Sequence, residues 1–137
     1  MLGKLLLIPA FMAVPLLCLA QVTDKREELR GAAQTCDMRY MLLMLQVVNR
    51  AGAPLAGVSM TLRRDGVPTP LYTLSTGPTG EVTLAEDGDL RRIPAAGSDF
   101  TVTLRRGARI RRVKYRLGAD EGGCHIALLS GPTVVTF

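Results

Sequence analysis

Residues 55–64 have the sequence Leu-Ala-Gly-Val-Ser-Met-Thr-Leu-Arg-Arg. Apolar side chains occupy every second position from 58 to 62, and polar side chains fill the positions between them. Because successive side chains of a strand point to opposite faces, this stretch predicts a β-strand with one buried face. Asp65 and Gly66 follow directly and predict a tight turn.

The neighbouring segments extend this pattern in both directions. Residues 39–49 are almost continuously apolar, which by periodicity alone fits a buried helix or a long buried strand, and the turn-forming cluster at 50–54 favours the strand. Residues 71–75 predict a short strand, irregular or at an edge, because Pro68 and Pro70 precede it. The turn at 76–80 predicts a hairpin to a strand over 81–84.

The second half of the chain predicts more strands of the same kind. Residues 85–99 predict a surface loop pinned by Leu90 or Ile93. Residues 100–104 and 110–117 predict two strands joined by residues 105–109. Residues 125–129 and 133–137 fit one bent terminal strand or two short ones. About seven strands at this spacing predict an all-β fold, a single Greek-key type β-sandwich.

The first twenty residues predict a cleavable signal peptide. Lys4 precedes a long apolar run that ends at the small residue Ala20, which is the order of such peptides. A membrane-spanning helix is the alternative, but the run is shorter than the roughly 20 residues a bilayer requires and contains two prolines. Lipidation of Cys18 is a second alternative, although Leu17 is not the small residue expected before a lipidated cysteine.

We therefore expect a secreted or periplasmic protein with no transmembrane segment after cleavage. Residues 21–35 are polar and charged and predict a flexible leader, and residues 36–137 predict the sandwich domain. Cleavage would leave 117 of the 137 residues, enough for one domain. It would also lower the formal charge from +5 to +4 by removing Lys4, and a positive surface favours anionic partners.

Cleavage at this point would leave two cysteines, Cys36 and Cys124. In an oxidising compartment we expect them to form a disulfide. A reactive thiol beside His125 and a metal site are the alternatives, and the metal site would require more ligands than one histidine and two cysteines supply.

The order of these segments resembles the bacterial carboxypeptidase regulatory-like domains, which are small prealbumin-like (transthyretin-like) sandwiches. Residues 47–58 (Val-Val-Asn-Arg-Ala-Gly-Ala-Pro-Leu-Ala-Gly-Val) are similar to the family's apolar strand, turn and Gly-Val strand entry. Residues 75–84 (Ser-Thr-Gly-Pro-Thr-Gly-Glu-Val-Thr-Leu) resemble its next turn and strand. Cys-His-Ile at 124–126 followed by Ser-Gly-Pro at 130–132 resembles the closing segment of secreted members.

The resemblance spans residues 36–137 and implies a non-catalytic module that works beside another protein and has no cofactor. Arg-Gly-Ala stands at 106–108, where the family often has Gly-Tyr after the preceding strand. Hydroxyisourate hydrolases share the fold class but use several histidines and end in Tyr-Arg-Gly-Ser. This chain has one histidine, His125, and ends Thr-Val-Val-Thr-Phe.

Catalytic and metal chemistry have few candidate residues. A hydrolase would need His125 held beside a serine or cysteine nucleophile, so we expect no enzyme activity. Calcium binding is an alternative for the acidic residues of two short loops, but solvated turn acids are the simpler interpretation. These acidic residues are Glu86, Asp87, Asp89, Asp120 and Glu121.

The most unusual feature is residues 105–116, which hold seven basic side chains in twelve positions and no acid. These residues are Arg105, Arg106, Arg109, Arg111, Arg112, Lys114 and Arg116. On a strand they predict a positive stripe that could bind phosphate, sulfated glycan, anionic lipid headgroups or an acidic protein. A solvated edge strand protected from aggregation by like charge is the alternative. Nucleic acid is not expected, since the protein is exported and Tyr115 is the stripe's one stacking group.

Three functions are compatible with these residues. The first is a non-enzymatic exported accessory or binding module that engages another envelope or secreted component. The second is binding of an anionic glycan or lipid headgroup through the basic strand. The third is a small hydrolase on a transthyretin-like fold, which would require His125.

Overall fold

A computed structural model describes residues 36–137, and the predicted signal peptide and leader lie outside this part of the chain. The described residues form eight β-strands and one short 3-10 helix, with no α-helix among them. The strands are β1 (Leu42–Val48), β2 (Ser59–Arg64), β3 (Tyr72–Ser75), β4 (Glu81–Glu86), β5 (Ser98–Arg106), β6 (Arg109–Ala119), β7 (Ile126–Ser130) and β8 (Val134–Thr136), and the 3-10 helix is Asp87–Arg91.

Two sheets contain these strands. One has three strands in the order β4-β1-β8, and the other has five in the order β3-β2-β5-β6-β7. The β1–β8 pair is parallel, whereas the other pairs are antiparallel. The chain changes sheet after β1, β3, β4 and β7, as sandwiches with Greek-key connections do. The predicted all-β sandwich is confirmed, with eight strands where the sequence predicted about seven.

The core lies between the two sheets and is built from the alternating apolar positions of the strands. Phe100, Val102 and Leu104 of β5 are almost fully buried, and each buried side chain of this size contributes about 1.5 to 3 kcal/mol. The other main core residues are Leu45, Val47, Val58, Met60, Leu62, Val82, Leu84, Ala85, Ile93, Tyr115, Leu117, Ile126, Val135 and Phe137.

The apolar segment 39–49 forms β1, but the prediction that it is wholly buried is wrong. Leu45 and Val47 face the core, whereas Leu42 and Met44 are 48% and 41% exposed. β8 pairs with β1 only from Gln46 onward, so the sheet is two strands wide at the Leu42 end. Buried and exposed side chains therefore alternate along most of β1, although nearly all of them are apolar.

The predicted hairpin around residues 76–80 is also wrong, because β3 and β4 belong to different sheets. Thr76 Oγ1 accepts a hydrogen bond from the Val58 N–H (3.0 Å) and donates one to the Leu55 carbonyl (2.6 Å). The Val47 N–H donates to the Gly80 carbonyl at 2.8 Å. One end of the turn is thus tied to the start of β2 and the other to β1, which carries the chain from one sheet to the other.

The remaining connections agree with the sequence more closely. The side chain of Ile93 is 2% exposed and anchors the 85–99 segment in the core, as predicted. The segment is not all loop, because the end of β4 and the 3-10 helix lie within it. Gly107 and Ala108 alone connect β5 to β6, which is shorter than the predicted 105–109 linker, and Gly107 has a φ of +58°. Residues 125–137 form two short strands, β7 and β8, in different sheets.

Candidate functional site

The β5–β6 hairpin and its neighbour β2 determine where the basic side chains point. In the five-stranded sheet Arg63 of β2 lies opposite Thr101 of β5, which in turn lies opposite Lys114 of β6. Two residues farther along β5, Thr103 lies opposite Arg112 of β6. Since the alternate residues of β5 fill the core, these side chains point to the outer surface of the sheet.

We call this outer surface the basic face. It consists of four cationic residues and four hydroxyl residues, which together with Arg64 line an open depression of about 840 Å³. Its members are Arg63, Arg105, Arg112, Lys114, Ser59, Thr61, Thr101 and Thr103. The loop that follows β2 (residues 65–68) forms one wall of the depression.

The charges of this region are unequally compensated. Lys114 Nζ lies 2.7 Å from Asp65 Oδ2 and 2.8 Å from Thr101 Oγ1, and hydrogen bonding to Lys114 and Thr101 lowers the pKa of Asp65. Arg116 pairs with Asp99 at 3.1 Å.

The other arginines of the basic face are not compensated in this way. Arg63, Arg105 and Arg112 are exposed, and each makes no ion pair within residues 36–137. These three guanidinium groups are therefore the ones available to an anionic ligand.

The seven predicted binding residues do not form one stripe. Arg105, Arg112, Lys114 and Arg116 point outward from the five-stranded sheet, whereas three arginines alternate to its other side. These three are Arg106, Arg109 and Arg111. The prediction of a single stripe is wrong because residues one position apart on a strand point to opposite faces.

The other side of the hairpin meets the end of the chain. The Arg109 guanidinium lies 4.9 Å from the centroid of the Phe137 ring, and Arg111 donates a hydrogen bond to the Thr136 carbonyl. The structure thus brings Arg109 and Arg111 together with β8 and separates them from Arg105 and Arg112.

The alternative interpretation of an edge strand applies to part of β6. β7 pairs with β6 only from Arg116 to Ala119, so the segment 109–115 has a hydrogen-bonded neighbour on one side, β5. Arg105, in contrast, has paired residues on both sides, Ser59 of β2 and Ile110 of β6. Arg63 lies one position beyond the β2–β3 pairing, which ends at Leu62. Protection of an edge accounts for Arg112 and Arg63 but not for Arg105.

Sequence reasoning missed Arg63 and the hydroxyl residues of the basic face. The alternation in residues 58–63 already indicates that Arg63 points away from the core. No local pattern, however, indicates that β2 lies beside β5, and this long-range pairing brings Arg63 next to the hairpin.

His125, the candidate base of the hydrolase hypothesis, is held between two carboxylates. Its Nδ1 lies 2.8 Å from Asp87 Oδ2 and its Nε2 lies 2.8 Å from Asp37 Oδ1. Both ring nitrogens are thus engaged with acids rather than with a hydroxyl or thiol. The neighbouring Cys124 forms the predicted disulfide with Cys36, with the two Cα atoms 5.3 Å apart.

These contacts shift the ionisation of the cluster. Hydrogen bonding to Asp87 raises the pKa of His125 against the opposing effect of burial. Burial opposes ionisation of Asp87, but the hydrogen bonds from His125, Met41 and Ile126 outweigh it and lower the pKa of this carboxyl. A backbone hydrogen bond from Arg39, with His125, lowers the pKa of Asp37.

Several acidic residues of the two loops bind other groups of the chain. Asp89 is 1% exposed, so its interpretation as a solvated turn acid is wrong. Asp120 Oδ1 accepts hydrogen bonds from the backbone of Cys124 and His125. In the described chain no group of three or more histidine, cysteine or acidic side chains is arranged to hold a metal ion.

Among residues 36–137 no helix is long and apolar enough to cross a membrane. The resemblance to carboxypeptidase regulatory-like domains stays a prediction. Comparison with protein-family profiles, with curated proteins and with solved structures gives no match.

Proposed function

We propose that this protein is an exported, non-enzymatic binding module whose basic face engages an acidic glycan. The observation that carries the proposal is a set of three arginines on adjacent strands among serine and threonine hydroxyls. These arginines, Arg63, Arg105 and Arg112, make no ion pair with any residue from 36 to 137. Like charges gathered on one surface destabilise a fold unless something offsets them. A ligand with matching negative charges would offset them.

The position of Arg105 favours a binding role over protection of an edge. Charged residues blunt an exposed edge strand, but Arg105 is paired on both sides, with Ser59 of β2 and Ile110 of β6. Arg105 therefore needs a different explanation, and an anionic partner supplies one for Arg63 and Arg112 as well.

The geometry of the basic face suits an extended chain with repeated charges. Strands lie about 4.8 Å apart, so the backbones at Arg63 and Lys114, two strands apart, are separated by roughly 10 Å. Arg105 and Arg112 form a diagonal cross-strand pair, with a spacing of about 7 to 8 Å. Guanidinium groups bind carboxylate and sulfate through paired N–H donors. The hydroxyls beside them both donate and accept hydrogen bonds, as sugar hydroxyls require.

Export is part of the same proposal. The disulfide between Cys36 and Cys124 supports it, since such bonds persist in oxidising compartments, and so does the signal-peptide pattern of residues 1–20. A glycan of the cell envelope or of the medium is an acidic polymer that an exported protein would meet.

The test is retention of the protein from residue 21 onward on immobilised heparin and on alginate, with neutral dextran as a blank. We expect binding that weakens as salt rises and that falls at least about fivefold in Arg105→Gln/Arg112→Gln, because exposed ion pairs contribute up to about 1 kcal/mol each. The matched control Arg39→Gln/Arg91→Gln removes the same charge away from the basic face and should bind nearly as the parent protein does.

Two further measurements make this test specific. Arg63→Gln should weaken binding on its own, a result that edge protection does not predict. Equal binding by the double variant and its control would overturn the proposal. Binding to vesicles containing phosphatidylglycerol, without binding to either acidic polysaccharide, would overturn the glycan as the ligand.

A further inference from the structure

We propose that the β5–β6 hairpin carries a second anion site on its opposite side, so that one molecule joins two acidic glycan chains. The inference rests on the proposed function for the class of ligand. We call the second site the corner site and define it by Asn49, Arg50, Ala51, Arg109 and Phe137, which line an open depression of about 510 Å³.

The two sites are separate because of strand alternation. Arg109 and Arg112 are both on β6, but they are three residues apart and therefore point to opposite faces. The depression at the basic face and that at the corner site share no lining residue. The hairpin itself stands between them.

The Arg109 side chain is positioned by a stacking contact with Phe137. Its guanidinium lies over the Phe137 ring at 4.9 Å, and Phe137 is only 5% exposed, so the ring is a fixed platform. An arginine stacked on an aromatic face keeps its N–H edges free for a carboxylate or sulfate. Arg109 makes no ion pair within the described chain, which leaves those edges available.

Arg50 provides the second charge of the corner site. It lies in the turn after β1, where Asn49 Oδ1 accepts hydrogen bonds from the N–H groups of Ala51 and Ala53, both at 2.9 Å. The backbone that carries Arg50 is thus fixed, while its side chain is exposed and makes no ion pair among residues 36–137. Arg106 lies beside the site, as it is paired with Arg109 across the hairpin.

The size and charge of the corner site favour one acidic sugar residue. Its volume is within the range of about 300 to 1,000 Å³ that small-molecule sites occupy. Two arginines can neutralise one carboxylate or sulfate through charge-assisted hydrogen bonds. The basic face, with its longer row of charges, accommodates a chain segment, so a protein with both sites would bridge two chains.

The experiment has two arms, each with the parent protein and the variants Arg50→Gln/Arg109→Gln and Arg105→Gln/Arg112→Gln. Calorimetric titration with a short heparin oligosaccharide should give two ligands per protein chain for the parent and one for each variant. Light scattering with high-molecular-mass heparin should rise and then fall as the protein-to-polymer ratio increases, for the parent only.

The outcomes separate this inference from the proposed function. One ligand per chain for the parent, lost only in Arg105→Gln/Arg112→Gln, would overturn the corner site and leave the basic face as the binding surface. No binding by the parent would overturn both. A dimer with one site per chain would also scatter light, but its stoichiometry of one would contradict the second site. Arg109→Lys, which keeps the charge but not the stacked fork, should also weaken corner binding at least about fivefold.

Discussion

His125 Nδ1 lies 2.8 Å from Asp87 Oδ2, and the Asp87 carboxylate also accepts hydrogen bonds from the backbone N–H groups of Met41 and Ile126. On the other side of the ring, Nε2 meets Asp37 at 2.8 Å. One imidazole thus fastens the segment before β1 to the 3-10 helix and to β7. The disulfide between Cys36 and Cys124, the residues next to Asp37 and His125, reinforces the same junction.

This junction predicts that stability depends on pH around neutrality. The carboxylates raise the pKa of His125, so folding favours the protonated ring. The resulting stabilisation is complete below the unfolded-state pKa of about 6.5 and is lost as pH rises through the folded-state pKa. We expect the melting temperature to fall over this range and to fall less in His125→Gln. His125 is the chain's one histidine, so its NMR titration is unambiguous, and a folded-state pKa at or below 6.5 would contradict the prediction.

Asp37 and Asp87 of the same junction should affect stability in a separate, acidic pH range. The pKa values of Asp37 and Asp87 are lowered, so their contribution is present above about pH 3.9 and is lost as pH falls through the folded-state values. Asp37→Asn should therefore flatten the acid limb of a melting-temperature profile. The same variant should also lower the pKa of His125. An unchanged histidine titration would show that the Asp37 contact is not maintained in solution.

The disulfide should stabilise the fold and position Asp37. It closes a segment with a sequence separation of 88 residues, for which loop-closure entropy gives about 4 to 5 kcal/mol as an upper value. We expect Cys36→Ala/Cys124→Ala to unfold at lower urea concentration. We also expect the pKa of His125 to move toward its ordinary value, since Asp37 is no longer anchored beside it. A loss of stability with no change in the histidine titration would mean that hydrogen bonds alone hold Asp37.

Asp89, the buried carboxylate of the 3-10 helix, should stabilise the fold more than its partner Arg92 does. Asp89 Oδ1 accepts hydrogen bonds from Tyr72 and from Arg92, the latter at 2.7 Å, and Oδ2 accepts one from the Glu86 N–H at 2.9 Å. Asp89→Ala would leave these donors without a partner and should cost about 2 to 3 kcal/mol. Arg92→Ala should cost less than Asp89→Ala, because the Tyr72 and Glu86 donors remain and the arginine side chain is 54% exposed, so that water can take its place. Equal losses in urea unfolding would show that the ion pair with Arg92, and not burial, gives Asp89 its role.

Much of this fold follows from local sequence. The alternation that predicts β2 is present in the structure, and so are the turn glycines, the pin at Ile93 and the pairing of Cys36 with Cys124. The errors occur where a choice depends on distant partners. The turn at 76–80 looks like a hairpin turn, but Thr76 is bound to β2 and Gly80 to β1, and neither contact has a signature within the turn.

The candidate site divides in the same way. The period-two rule applied to residues 105–116 separates Arg109 and Arg111 from Arg112 and Lys114, so the two sides of the hairpin were predictable in principle. The position of Arg63 next to the β5–β6 hairpin was not predictable, because it depends on β2 pairing with β5. The stacking of Arg109 on Phe137 was not predictable either, because it depends on β8 crossing to the other sheet. The basic face and the corner site are therefore products of strand order.

The crossing at residues 76–80 can be tested at one glycine. Gly80 has a φ of +74°, and a Cβ there would lie 2.5 Å from the Val47 carbonyl oxygen, whereas Gly52 has a φ of +82° and open space around it. Alanine at either position pays about 1 to 2 kcal/mol for the left-handed conformation. At Gly80 it must also displace the backbone of β1, which adds about 1 to 3 kcal/mol. We therefore expect Gly80→Ala to unfold at a clearly lower urea concentration than Gly52→Ala. Equal midpoints with equal slopes would mean that the turn does not press against β1, so that Gly80 would not be needed for the chain to change sheet.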